Sequence, residues 1–248
     1  MFAPSGKYNP CGIFNVTHLL AASICIILVI IAVILSKNIK RETFTKLLKI
    51  FAVIITILEL IKIIYNLYYN YRAPINDWLP LHFCSLFIYS LWFAGFGKGK
   101  LKTIGESFLI GGGIIAGLVF LIIPSTSLTL FPIFHFQCIY SLLFHSLFLY
   151  SGLIIIIKNY FTLSVKSFIY YFIFCTIFCI IAVILNVITD ANFMFLDNPW
   201  GIPIPLLSKI KDFSQILYTF IIYIAYTCGT YLTTMLIQKI YLKIVKEK

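Results

Sequence analysis

Seven apolar runs, each long enough to cross a bilayer, constrain this chain more than any other feature. They fall at about residues 18–36, 49–69, 79–96, 103–123, 133–157, 167–189 and 214–238. A hydrocarbon core about 30 Å thick needs roughly 20 apolar residues per helix. Inside it the backbone must satisfy its own N–H and C=O groups, which a helix does within one segment. The expectation is an all-α polytopic membrane protein, seven transmembrane helices in a single domain over residues 1–248. The first run has no basic leader beyond Lys7 and is longer than a signal-peptide core, so it reads as a retained helix.

Composition excludes the soluble alternatives. The chain is 61% hydrophobic and only 11% charged, where an ordinary soluble domain carries about 25% charged residues. Disordered, collagen-like, coiled-coil and nucleic-acid-binding classes drop out. The formal charge of +11 reads instead as topology. Lys37, Lys40, Arg41, Lys46 and Lys49 precede the second run, Lys98, Lys100 and Lys102 the fourth, and Lys158 and Lys166 the sixth. Lys239, Lys243, Lys246 and Lys248 close the chain. That puts 14 cations on one side, against 4 on the other: Lys7, Arg72, Lys209 and Lys211. The positive-inside rule then sets the N-terminus outside and the C-terminus inside. Arginine occurs only at Arg41 and Arg72, a bias common in AT-rich bacterial genomes. The expected location is a bacterial plasma membrane.

The seven cysteines show no framework spacing, and most lie in apolar runs as small hydrophobes. Segment 190–213, apolar and Pro-rich with Phe193 and Trp200, is expected to lie in the interface or cap the outer face. Gly111, Gly112, Gly113 and Gly117 allow close approach by a neighbouring helix. Span seven contributes Tyr223, Tyr226, Thr227, Thr230 and Tyr231, a candidate polar seam.

Polar groups inside a membrane are costly, so each is a candidate for function. With this topology His18, His82 and His135 lie near the outer surface, and His145 is about 15 Å deeper than His135. Cys175, Cys179, Ala182, Asn186 and Asp190 share one face of span six at spacings of three and four. Glu59 and Lys62, at i and i+3 in span two, are natural partners and read as a structural pair. The sets suggest an outward-opening polar pocket walled by spans one, three, five and six. Three chemistries fit it. Cys84 could act as a nucleophile, with His145 or His135 as base, since a helical His82 two residues away would diverge from it. Histidines from several helices could bind zinc, copper or haem, although no HxxxH or CxxC spacing occurs. The same groups could line a transport path.

The order of FNVTHLL with His18, Glu59, LPLHFCSL, the Gly-rich span ending at Pro124, FPIFHFQ followed by His145, and DANFMFL resembles the YwaF-like family of bacterial integral membrane proteins. That family is similar to animal transmembrane protein 164. The resemblance implies an acyltransferase that moves fatty acyl chains between membrane phospholipids through a catalytic cysteine, with no soluble cofactor. On that implication Cys84 is the nucleophile and His145 the base. His18, His82, His135, Asn186, Asp190 and Asn192 contact the substrate, and no metal takes part. The animal proteins carry a Pro-Cys-His order, whereas this chain reads Pro80, Leu81, His82, Phe83, Cys84. The alternative is a non-enzymatic transporter, sensor or metal- or haem-binding membrane protein using the same pocket.

Overall fold

In the computed structural model, residues 2–69, 75, 78–124, 126–199 and 202–247 are described; Arg72, Trp200 and Lys248 lie outside them. Helix α1 (Val16–Leu35) starts where the Asn15 side chain accepts the His18 N–H at 2.9 Å, a cap for an otherwise orphaned donor. Only 11% of its most apolar window is buried, so most of its surface is left for lipid. Helix α2 (Arg41–Tyr69) runs past its expected start because its basic first two turns project beyond the apolar run. Helix α3 (Leu86–Phe96) is preceded by a 3-10 turn over Phe83–Ser85. The span expected from residue 79 therefore begins late. Pro80 lacks a donor, and His82 keeps an extended backbone.

Helices α4 (Gly99–Gly111) and α5 (Gly113–Ile122) form one 24-residue apolar span interrupted at Gly112. Helix α6 (Phe136–Ile157) is capped by His135, whose Nδ1 accepts the Gln137 N–H at 3.2 Å. Helix α7 (Val165–Thr189) starts in a Ser164–Ser167 capping box and ends at Asp190 in the left-handed conformation. A short amphipathic helix α8 (Pro205–Phe213) follows, with no buried residue. Helices α9 (Gln215–Ile224) and α10 (Thr230–Lys246) are joined by a π turn over Ala225–Gly229.

Five of these segments are long and apolar enough to cross a membrane: Val16–Leu35, Gly99–Ile122, Phe136–Ile157, Val165–Thr189 and Gln215–Lys246. Phe83–Phe96 is a shorter apolar helix. No strand occurs among the described residues. The α4–α5 span and α6 form the centre of the bundle, 72% and 61% buried. The expected polar seam of the last span packs on α7: Tyr171 donates to the Tyr226 carbonyl at 2.7 Å and meets Thr230 Oγ1 at 2.6 Å, while Tyr223 meets Thr176 at 2.9 Å.

Alternate connections meet at the same end of the bundle. At one end Lys158 donates to the Lys37 carbonyl at 2.8 Å, Arg41 donates to the Tyr160 carbonyl and pairs with Glu106 at 2.5 Å, and Gln238 accepts the Leu163 N–H at 2.8 Å. At the other, the Cys11 N–H donates to the Phe131 carbonyl at 2.9 Å, and Tyr65 and His135 both donate to the Ala3 carbonyl, at 2.5 and 3.0 Å.

The glycine cluster does set close helix contacts. A Cβ on Gly117 would stand 2.9 Å from the His145 carbonyl oxygen on α6, and one on Gly105 would stand 2.4 Å from the Ala94 nitrogen on α3. Both obstacles are backbone, which cannot rotate away. Gly117→Ala and Gly105→Ala should each destabilise the purified protein by about 1–3 kcal/mol, the usual penalty for overpacking. Gly229→Ala, whose new atom meets its nearest neighbour at 3.8 Å, should leave the thermal midpoint unchanged or raised. Equal midpoints for all three variants would refute the close-approach reading.

Candidate functional site

The late start of α3 is what builds the site. His82, Phe83 and Cys84 sit on the non-helical approach and first turn, so the α-helical rule that separates residues two apart does not apply to them. Both His82 and Cys84 line one cavity of about 470 Å³, and so does His145. That volume is in the usual range for small-molecule sites. Cys84 lies in the 3-10 turn that leads into α3, a helix-start position that favours developing negative charge.

The walls differ from those expected. Spans one and six contribute none. The cavity is walled by α2 through Glu59, Lys62 and Asn66, by α5, by α6, and by Tyr226 and Thr230 in the last span. Phe83 stacks on Tyr226 with ring centres 4.4 Å apart and planes 7° from parallel, which ties the cysteine-bearing turn to the π turn.

One wall is polar. Lys62 Nζ lies 2.6 Å from Glu59 Oε1, and the Tyr140 hydroxyl donates to Glu59 Oε2 at 2.6 Å. One helical turn along, Gln137 Nε2 donates to Asn66 Oδ1 at 2.8 Å. Lys62 and Glu59 line the same cavity as Cys84. Sequence reasoning paired Glu59 with Lys62 and named Tyr226 in the seam of the last span, but left out Asn66, Gln137 and Tyr140. The spacing of Glu59, Lys62 and Asn66, three then four, was the available signal for one polar face of α2.

The two cavity histidines differ in tautomer. His145 Nδ1 lies 2.8 Å from the Ser141 carbonyl, which can only accept, so Nδ1 carries the proton and Nε2 the lone pair. Its ring stacks on Phe120 at 3.7 Å. His82 Nδ1 accepts the Met194 N–H at 3.3 Å, so its proton sits on Nε2. No hydrogen bond joins Cys84 to His145 among the described residues.

The remaining predicted substrate residues lie outside the cavity lining. His18 is buried, accepting the Phe14 N–H at 3.0 Å and donating to the Leu121 carbonyl at 3.1 Å; it staples α1 to the end of α5. His135 holds Ala3 and the start of α6. Asn186 grips the Phe193 backbone from both sides, accepting its N–H at 2.7 Å and donating to its carbonyl at 3.2 Å. Asn192 Oδ1 accepts the Asp197 and Asn198 N–H groups, both at 3.1 Å. Asp190 is exposed at the end of α7. The asparagines thus act on the cavity indirectly, by holding the turn that presents Phe195 to it. Cys175, Cys179 and Ala182 pack as buried core. Cys11 lies before α1, and burial pushes its thiol up. Among the described residues, no three His, Cys, Asp or Glu side chains converge in a way that would hold a metal ion.

Fold and site together define a helical membrane protein with an internal cavity, polar on one wall, that holds a cysteine, two histidines and an ion pair. The sequence model of the TMEM164 family matches residues 13–237, and the chain belongs to that family. No curated protein and no solved structure matches it.

Asn186→Ala should free the Phe193–Phe195 turn and open the cavity. The expected result is faster maleimide labelling of Cys84 in the purified protein, with a stability loss of about 1–3 kcal/mol from the unpaired Phe193 backbone groups. An unchanged labelling rate would show that this turn does not cover the cysteine.

Proposed function

We propose that this chain is a bacterial member of its family and a lipid acyltransferase of the plasma membrane, with Cys84 as the nucleophile. The observation that carries the reading is the shared cavity: a cysteine at a helix start, a histidine in the acceptor tautomer and a histidine in the donor tautomer line one membrane-buried space. An acyltransferase acting through a thioester needs those three roles and no cofactor.

The chemistry runs in two steps. The Cys84 thiol passes its proton to His145 Nε2 by way of a water bound in the cavity, a relay open to a general base. The sulfur attacks the ester carbonyl of a bound phospholipid. His82 Nε2–H and the first-turn N–H groups steady the oxyanion. The ester C–O bond breaks, and the lysolipid oxygen leaves with the proton held by His145. The hydroxyl of an acceptor lysolipid then gives its proton to His145 and attacks the thioester, and Cys84 regains its proton. Phe120, Phe131 and Phe144 supply apolar wall for the acyl chain.

In this reading α2 and Phe83–Phe96 complete seven crossings, with the N-terminus outside and the C-terminus inside. The meeting of alternate connections at one end supports that arrangement, with Lys37, Arg41 and Lys158 all at the same end. Helix α8 lies in the outer interface, since Leu206, Leu207, Ile210 and Phe213 share one arc and Lys211 lies off it.

Incubation with isotopically labelled phospholipid should leave a labelled acyl group on the Cys84 peptide, read by mass spectrometry and removed by hydroxylamine. Cys84→Ser should lower acyl exchange by roughly 10³-fold or more, as loss of a nucleophile does elsewhere. A wild-type protein that never acylates, or unchanged turnover in the variant, refutes the enzyme reading. In intact cells an N-terminal tag should be cleaved by external protease and a C-terminal tag protected; the reverse pattern refutes the orientation.

A further inference from the structure

The ion pair in the cavity wall has a chemistry of its own that the thioester mechanism leaves unused. An ammonium and a carboxylate buried among apolar helices are weak contributors to stability. Well-packed apolar residues in their place are often neutral or better. This pair, moreover, does not fill a packed core. Both members line the cavity, and the lysine side chain is 20% exposed while that of Glu59 is 6% exposed. The lysine is thus the more exposed member of the pair.

The pair is also built unequally. Glu59 has a second partner, the Tyr140 hydroxyl at 2.6 Å on its other oxygen, so it stays hydrogen-bonded if Lys62 turns away. Lys62 has three donors, and among the described residues it is paired with the single Glu59 oxygen at 2.6 Å. Along α2, Lys62 lies about 4.5 Å beyond Glu59 at the helical rise of 1.5 Å per residue, and Asn66 about 6 Å further. The stripe leads toward Asn66, Gln137 and Ser5 at the end of the cavity where the N-terminal segment is anchored. The wall formed by Ile115 and Val119 of α5, with Ile123 just after it, is apolar. A ligand that fits both walls has an anionic head and a hydrocarbon body.

We propose that Lys62 is the binding residue for the phosphodiester of a lipid headgroup, and that Glu59 is the resident anion the phosphate displaces from it. The exchange makes and breaks no covalent bond. The lysine changes partner from carboxylate to phosphate, and Glu59 remains on Tyr140 beside Cys84. This assignment rests on the lipid substrate of the proposed function but not on the role of Cys84.

Binding can be read without turnover, by native mass spectrometry of the purified full-length protein. The probes are phosphatidylglycerol and a diacylglycerol with the same chains. Lys62→Gln should weaken phosphatidylglycerol retention at least about tenfold, the factor a charge-assisted hydrogen bond supplies. Lys62→Arg should largely keep it. Glu59→Gln removes the competing anion and should tighten retention several-fold. A purely structural pair would instead lose binding in both the Lys62→Gln and Glu59→Gln variants. Diacylglycerol should bind all the proteins alike. Inorganic phosphate at millimolar concentration separates the sources. Lipid retention that it leaves unchanged assigns the site to the headgroup, and competition that depends on Lys62 overturns that assignment in favour of free anion. Equal phosphatidylglycerol affinity in wild type and Lys62→Gln overturns the proposal. So does an equal loss of diacylglycerol. If Lys62→Gln fails to fold, the Glu59→Gln arm decides alone, and unchanged or weaker binding there overturns it. Lys62-dependent binding without acylation of Cys84 would remove the acyltransferase and leave this site standing.

Discussion

Hydrocarbon offers no water to an unsatisfied polar group, and the rest of this structure follows from that constraint. Two polar side chains of α2, Glu59 and Asn66, are each met by one from α6. Tyr140 reaches Glu59, and Gln137 reaches Asn66. These contacts fix the rotation of both helices about their axes, because a turn of either would strand a carboxylate or an amide. Leaving a buried hydrogen-bonding group without its partner costs about 1–3 kcal/mol, more for a charged group. The polar wall of the cavity is therefore also the part of the bundle that specifies which helix faces which.

The same constraint explains where the backbone is irregular. Three interruptions lie around the cavity: the 3-10 turn at Phe83–Ser85, the break at Gly112 and the π turn at Ala225–Gly229. Non-helical backbone at membrane depth survives only where protein or a cavity covers it, and Phe83 touches both other interruptions. Its ring stacks on Tyr226, and it lies 3.3 Å from where a Cβ on Gly112 would stand. A larger residue at 112 would press on this aromatic contact and so on the turn that carries Cys84. The cavity lies where regular helix geometry has been given up by three elements at once.

Length and apolarity are local properties, so the helical membrane fold was legible in the sequence. So were the Glu59–Lys62 pair, three residues apart on one helix, and the close-packed glycines. Wall composition was not, because it depends on rotations that only tertiary contacts determine. Span six was expected to face the pocket on the strength of its Cys175–Asp190 stripe, yet that stripe packs as core and ends at an exposed cap. His18 and His135 were grouped with the pocket by depth alone, and depth does not separate a ring facing a cavity from one tied to backbone carbonyls. His82 was set aside as a partner of Cys84 by a rule for α-helices, and the chain there is not yet helical.

The four histidines make this last distinction concrete. His18 and His135 each use both ring nitrogens on backbone groups near them, one accepting and one donating. They are consumed as staples that tie the N-terminal segment and α1 to the bundle. His82 and His145 each spend Nδ1 on a backbone partner and line the cavity with the rest of the ring. The partner then decides the role. A carbonyl at Ser141 leaves His145 an acceptor, and an amide at Met194 makes His82 a donor. Two identical side chains thus acquire opposite hydrogen-bonding roles from the backbone groups beside them. The turn holding Met194 is in turn held by Asn186 through the Phe193 backbone. The proton on His82 is therefore set three contacts away from the cavity, by an asparagine whose sequence position alone suggested direct binding.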